Sequence, residues 1–205
     1  MKVAVLASGT GTNLQALLDE VHGRDGIEIV AVASDKADAP ALERARRAGV
    51  AVASFPGSDY TGRAARDQAM ADWLAERGAE LVVLAGYMQL LSNEFLARFP
   101  ERVINVHPAL LPAFPGLGAV EQALAYGVKV FGVTVHFVDG GVDTGPVILQ
   151  GSVELPDARE VDDVMKALRP IEHSLLPQAV RLFAAGALKA DSSNPRRIAT
   201  RPLAR

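Results

Sequence analysis

The chain contains no cysteine. Disulfides, thiolate nucleophiles and cysteine-held metals are thereby excluded, and the composition fits a reducing compartment such as the cytoplasm. No apolar run approaches the ~20 residues that a membrane-spanning helix needs. The apolar stretch at the N-terminus covers only Val3 to Ala7 before a Gly-rich turn, so it reads as a buried first strand rather than a secretory leader. Basic charge is not in excess: 21 Lys and Arg stand against 24 Asp and Glu, a formal net charge of −3, which argues against a nucleic-acid footprint. There is no Gly-x-Ser-x-Gly elbow for a serine nucleophile. His107 and His136 do not make a metal site alone, and no His-x-x-Glu-His spacing occurs, so no metal is expected.

What is present is ample core material. The 205 residues are 49% apolar, enough for one large α/β domain. Apolar runs at Val3–Ala7, Ile27–Ala33, Val50–Ala53, Leu81–Ala85 and Val103–Val106 alternate with stretches of helical spacing at Leu14–Val21, Ala41–Ala48 and Ala64–Arg77. The runs are apolar throughout, as in strands covered on both faces of a parallel sheet. The expected fold is therefore a Rossmann-like, open, mostly parallel twisted sheet with helices on both faces. After residue 128 the pattern changes. Val128–Val138 and Val147–Leu155 flank a Gly/Asp-rich connection without a helix between them and read as antiparallel strands at the sheet edge. A helix from about Val161 to Ala185 is expected to kink or break at Pro170 and Pro177. The basic stretch from Arg196 to Arg205 lacks apolar periodicity and reads as a frayed tail.

Ser8-Gly9-Thr10-Gly11-Thr12-Asn13 follows the first strand and opens the first helix. Glycines allow a tight turn there, and a helix N-terminus favours an anion, so a phosphate site is the functional reading of Gly11, Thr12 and Asn13. Leu14 stands where a dinucleotide fingerprint has its third glycine, which favours a phosphate monoester. Asp35, at the end of the second strand, keeps a dinucleotide-binding alternative open.

Asn105 and His107 bracket Val106 at a strand end, and residues i and i+2 of a strand share a face. An open α/β sheet binds ligands at that edge. Pro108 and Pro112 stiffen the exit. An asparagine amide can donate to a developing oxyanion, a protonated imidazole can do so with full charge, and a carboxylate such as Asp143 can carry a proton from an attacking amine to a leaving nitrogen. Singly, each residue has a structural explanation: Asn105 as a strand-end cap, His107 as a loop histidine, and Asp143 as a turn residue. Together, with a phosphate loop on the same sheet edge, they read as a site. His136, inside an apolar strand, reads as a core histidine or one supporting a neighbouring functional group.

The run Asn105-Val106-His107-Pro108-Ala109-Leu110-Leu111-Pro112, with Asp143-Thr144-Gly145-Pro146, resembles the formyltransferase superfamily that uses 10-formyltetrahydrofolate. Ser8 to Asn13, Ser34 to Ala39 and Leu84 to Met88 narrow the resemblance to its ribonucleotide-formylating branch, over residue 1 to about residue 188. The resemblance implies a single domain over 1–188, with a phosphate-binding half at 1–100, a catalytic and folate-binding half at 101–188, and a tail at 189–205. It implies formyl transfer from N10 of 10-formyltetrahydrofolate to the glycyl amine of glycinamide ribonucleotide, in purine synthesis, without metal or acyl-enzyme. On this pattern Asn105, His107 and Asp143 are catalytic, and Gly11, Thr12, Asn13 and Glu172 bind the ribonucleotide. Arg63, the segment Met88, Gln89, Leu90 and Leu91, and the loop Val138, Asp139, Gly140, Gly141 and Asp143 bind folate. A monomer or homodimer acting on small molecules is implied, without nucleic acid or membrane. Two departures stand out. Gln89 occupies a commonly basic position, and Gly118 to Glu121 replace a stretch often rich in His and Arg. Two relatives carry extra domains: the methionyl-tRNA formyltransferase a C-terminal one, and the formyltetrahydrofolate hydrolase an N-terminal one. The hydrolase uses the same three residues and is the nearest enzyme alternative. A nucleotide-binding module without catalysis is the alternative from another class.

Overall fold

The computed structural model describes residues 1–201. The chain divides into two compact units, Met1–Asn105 and Val106–Arg205. The first unit carries strands β1 (Lys2–Leu6), β2 (Glu28–Ser34), β3 (Ala51–Ser54) and β4 (Leu81–Leu84), and most of β5 (Val103–His107). Its helices are α1 (Thr12–Glu20), α2 (Pro40–Arg47), α3 (Arg63–Glu76) and α4 (Asn93–Arg98). The second unit carries the end of β5, then α5 (Ala119–Tyr126), β6 (Val130–Phe137), β7 (Val147–Glu154), α6 (Val161–Ala184), β8 (Leu188–Asp191) and β9 (Asn194–Thr200).

The strands are ordered β3-β2-β1-β4-β5-β6-β7-β9-β8, with helices on both faces of the sheet. Neighbours from β3 to β5 pair in parallel, with β1 in the middle. Full coverage explains the unbroken apolar runs: Val3 to Leu6 in β1 and Leu81 to Leu84 in β4 are all buried. β6 and β7 pair antiparallel, as the connection between them implied. β7, however, is not the edge, because β9 pairs with it and β8 pairs with β9. The reading of a frayed tail from Arg196 onward is thereby corrected for residues 196–200, which belong to β9. Backbone pairing to β7 and β8 holds this stretch, and most of its side chains are exposed, so no apolar periodicity could have announced it. Residues 202–205 lie outside the described part of the chain.

The expected break in the last helix does not occur. α6 runs unbroken through Pro170 and Pro177. Each proline removes an N–H bond and crowds the preceding turn. The buried stripe of Val164, Leu168, Leu176, Ala179 and Val180 opposes that cost, and packing of such a stripe outweighs local propensity. Two short helices escaped the sequence reading. α4 is capped by Ser92, whose hydroxyl accepts from Phe95 N. α5 lies between Gly118 and Gly127, both left-handed, so Gly118 to Glu121 are a helix cap and first turn. Among the described residues no helix is long and apolar enough to cross a membrane.

Candidate active site

In the second unit, three side chains far apart in sequence meet. His107 ends β5, His136 lies near the end of β6, and Asp143 sits in the connection between β6 and β7. His107 and His136 are 5% and 1% exposed, so their rings are largely shut off from bulk water. The β6–β7 register slips between Val135 and His136, and such irregularities re-aim side chains next to active sites.

Asp143 is gripped from several directions. Its Oδ2 accepts from Gly116 N at 2.7 Å and lies 3.3 Å from His107 Nδ1, while Oδ1 lies 3.5 Å from His136 Nε2. Burial raises the pKa of this carboxyl. The hydrogen bond from His136, the Gly116 amide and the charges of His107 and His136 outweigh burial and pull it down to about 2. It is therefore ionised at neutral pH.

The far ring nitrogens also face oxygens. His107 Nε2 lies 2.8 Å from Phe114 O, and His136 Nδ1 lies 2.8 Å from Phe137 O. A carbonyl only accepts, so each of these nitrogens carries a proton. Their other nitrogens, His107 Nδ1 and His136 Nε2, are the ones turned toward the Asp143 carboxylate.

Backbone strain accompanies this geometry. Asp143 and Phe114 have φ of 51° and 53°, in the left-handed region that non-glycine residues rarely enter. These conformations belong to the residues whose carboxylate and carbonyl flank the His107 ring, and strain of this kind gathers at functional sites. Close approaches fix the same loop. A Cβ at Gly145 would lie 1.8 Å from Phe137 O, and one at Gly141 would lie 2.0 Å from Thr144 Oγ. Asp139 Oδ1 accepts from Thr144 Oγ at 2.6 Å and from Gly141 N at 3.1 Å. Sequence reasoning missed the brace under the proline-rich exit from β5. Thr134 Oγ donates to Ala109 O and accepts from Leu111 N, while Gln150 Nε2 donates to Leu111 O. Glu172, also in this unit, lies buried on α6.

Within the first unit, Asn105 is half-buried on β5, two residues before His107. Gly11 caps α1 with φ 73°, and a Cβ there would meet Ala41 Cα and Cβ at 2.8 Å, so both conformation and space demand glycine. The loop is pinned from α2, since Ala41 N donates to Gly9 O and Arg44 Nε to Thr10 O. Thr12 and Asn13 open α1, which has neither a side-chain cap on its first turn nor an acidic residue in it. The positive end of that helix therefore keeps its attraction for an anion.

Met88 to Leu91 follow β4 as a loop fixed by Met88 N donating to Ser8 Oγ and by Ser92 N donating to Asp67 Oδ2. Asp67 and Arg66 form a buried pair at 2.8 Å. Gln89 bridges Arg66 and Asp35 by its side-chain amide. The loop displays Met88 and Leu90, more than half exposed. Arg63, also exposed, is the first residue of α3. The Arg66–Asp67 pair was not legible in sequence, because charges on an amphipathic helix ordinarily mark its solvated face.

Fold and site together define an open α/β protein with a histidine–aspartate cluster suited to moving protons at strand ends. The chain belongs to the formyl transferase family, whose model matches residues 1–180. It is 44% identical to the phosphoribosylglycinamide formyltransferase of Mycobacterium tuberculosis, over 89% of this chain and 85% of that protein. To the Escherichia coli protein of the same name it is 40% identical, over 92% and 90%. It also matches 19% of the length of the trifunctional purine biosynthetic protein adenosine-3 of Bos taurus, at 41% identity. Among solved structures, glycinamide ribonucleotide transformylase 1 from Symbiobacterium toebii superposes with a TM-score of 0.93 at 48% identity, covering 98% of this chain and 93% of that one.

Proposed function

We propose that the chain transfers the formyl group of 10-formyltetrahydrofolate to the glycyl amine of glycinamide ribonucleotide. The observation that carries this reading is the Asp143 carboxylate held between two buried imidazoles, in a chain matched along most of its length by formyltransferases of that name. The amine attacks the formyl carbon and a tetrahedral intermediate forms. Asn105 donates to its oxyanion, and protonated His107 adds positive charge there. Asp143 accepts a proton from the attacking nitrogen, directly or through water, and that proton passes to N10 as the C–N bond breaks. His136 holds Asp143 ionised and in place. No enzyme nucleophile takes part.

Gly11, Thr12 and Asn13 bind the ribonucleotide phosphate, and Glu172 binds the ribotide. The exposed apolar side chains of Met88 and Leu90, on a loop braced at both ends, support a flat heterocycle docking along Met88, Gln89, Leu90 and Leu91. Arg63 and the loop from Val138 through Asp139, Gly140 and Gly141 to Asp143 complete the folate contacts. The test is formyl transfer, followed by absorbance of the deformylated folate, with and without glycinamide ribonucleotide. Turnover only with the ribonucleotide supports the transferase. Turnover without acceptor replaces it by the hydrolase, and silence in both reduces it to a nucleotide-binding module.

A further inference from the structure

We propose that Arg196, on the exposed strand β9, is a positioning residue that holds Asp143 through the carbonyl of Thr144. The inference rests on the proton-carrying role assigned to Asp143 above. Arg196 Nη1 donates to Thr144 O at 2.8 Å. Thr144 is the residue after Asp143, and its hydroxyl is separately tied to Asp139. The Thr144–Gly145 peptide, one residue beyond the strained Asp143, is thus held at its carbonyl by Arg196, while the Thr144 side chain is held by Asp139.

Arg196 is itself anchored. Its backbone N–H donates to Asn194 Oδ1, and its neighbour Arg197 pairs with Val147 at the start of β7, three residues after Thr144. Strand pairing therefore delivers the guanidinium to the loop. Asp143 and Arg196 are also the charged residues lining one cleft, whose walls include Leu111, Pro112, Pro115 and Val142. A left-handed aspartate has nearby alternatives in φ and ψ, and leaving its present conformation would carry the carboxylate away from Gly116 N and the two imidazoles. A charge-assisted bond to the next carbonyl opposes that escape. Because Arg196 is exposed, its replacement tests position without emptying a core.

The experiment compares Arg196→Ala, Arg196→Lys, Asp143→Asn and the double variant Arg196→Ala/Asp143→Asn by steady-state and single-turnover formyl transfer. Arg196→Ala is expected to lower kcat on the order of tenfold, since small misplacements of catalytic groups cost that much or more. Both KM values should stay within about twofold. Arg196→Lys should recover most of the loss, because an ammonium can donate to the same carbonyl. With Asp143→Asn already present, Arg196→Ala should change the rate by less than about twofold, the mark of residues acting as one unit. Equal losses in both backgrounds, or a raised KM with kcat intact, overturn the positioning role. An active Arg196→Ala beside an inactive Asp143→Asn overturns it alone. Wild-type turnover by Asp143→Asn overturns both it and the reading it rests on.

Discussion

Gly145→Ala places a single methyl where the ends of β6 and β7 close on each other. The new Cβ would lie 1.8 Å from Phe137 O and 2.8 Å from Phe137 C. Real Cβ atoms do not approach closer than 3.0 Å, so the two segments must part by about 1.2 Å. The obstacle is backbone, which no rotamer change can move. Parting stretches the bond from Phe137 N to Pro146 O, now 2.9 Å. Losing that bond costs about 1–3 kcal/mol if its groups stay buried and unpaired. Overpacking adds about 1–3 kcal/mol. The sum of roughly 2–6 kcal/mol lowers Tm by roughly 5–20 °C for a chain of this size. Because Asp143 rides on the displaced loop, kcat should fall on the order of 10²-fold, the cost of an ångström of misplacement. Thermal unfolding by circular dichroism and steady-state formyl transfer measure the two effects. Gly57→Ala is the control, since a Cβ there meets nothing within 4 Å and its φ is not in the left-handed region. A Gly145→Ala protein that melts and turns over like wild type would refute both the steric estimate and the link from loop to carboxylate.

Further outcomes are open to measurement. His107→Ala and Asp143→Asn should each lower kcat on the order of 10²–10⁴-fold, and wild-type turnover by His107→Ala would remove it from the chemistry. Asp143 also makes stability depend on acid. Its pKa is lower in the folded chain, at about 2 against 3.8. Its contribution, about 2 kcal/mol, is therefore complete above the unfolded value and lost as pH falls through the folded one. Denaturant unfolding of wild type and Asp143→Asn should show a gap at pH 6 that narrows by pH 3, and a constant gap would contradict the assigned shift. Gly11→Val should raise KM for the ribonucleotide more than for the folate, and equal effects would count against the phosphate assignment.

Much of the first unit was legible in the sequence because its signals are local. A strand covered on both faces must be apolar at every position, and the helices between such strands repeat at their own period. The positions of Asn105 and His107 on one strand, and of Asp143 in a turn, followed from the same kind of pattern. The elements that were missed or misread have non-local causes. α6 continues through two prolines because its buried stripe packs, and the hairpin of β8 and β9 exists because β7 offered a partner.

The same division holds at the site. By itself the sequence determined the residue types, an amide, an imidazole and a carboxylate, and put the first two together at a strand end and the third in a turn, since backbone periodicity decides which residues leave a strand together. Only the tertiary structure decided that His136 faces Asp143, that the Phe114 carbonyl takes the far nitrogen of His107, and that Arg196 reaches Thr144. Each of these contacts joins residues brought together by a register slip, a left-handed residue or a strand pairing. Such choices are made between segments, by the energy of the whole packing, and no local pattern records them.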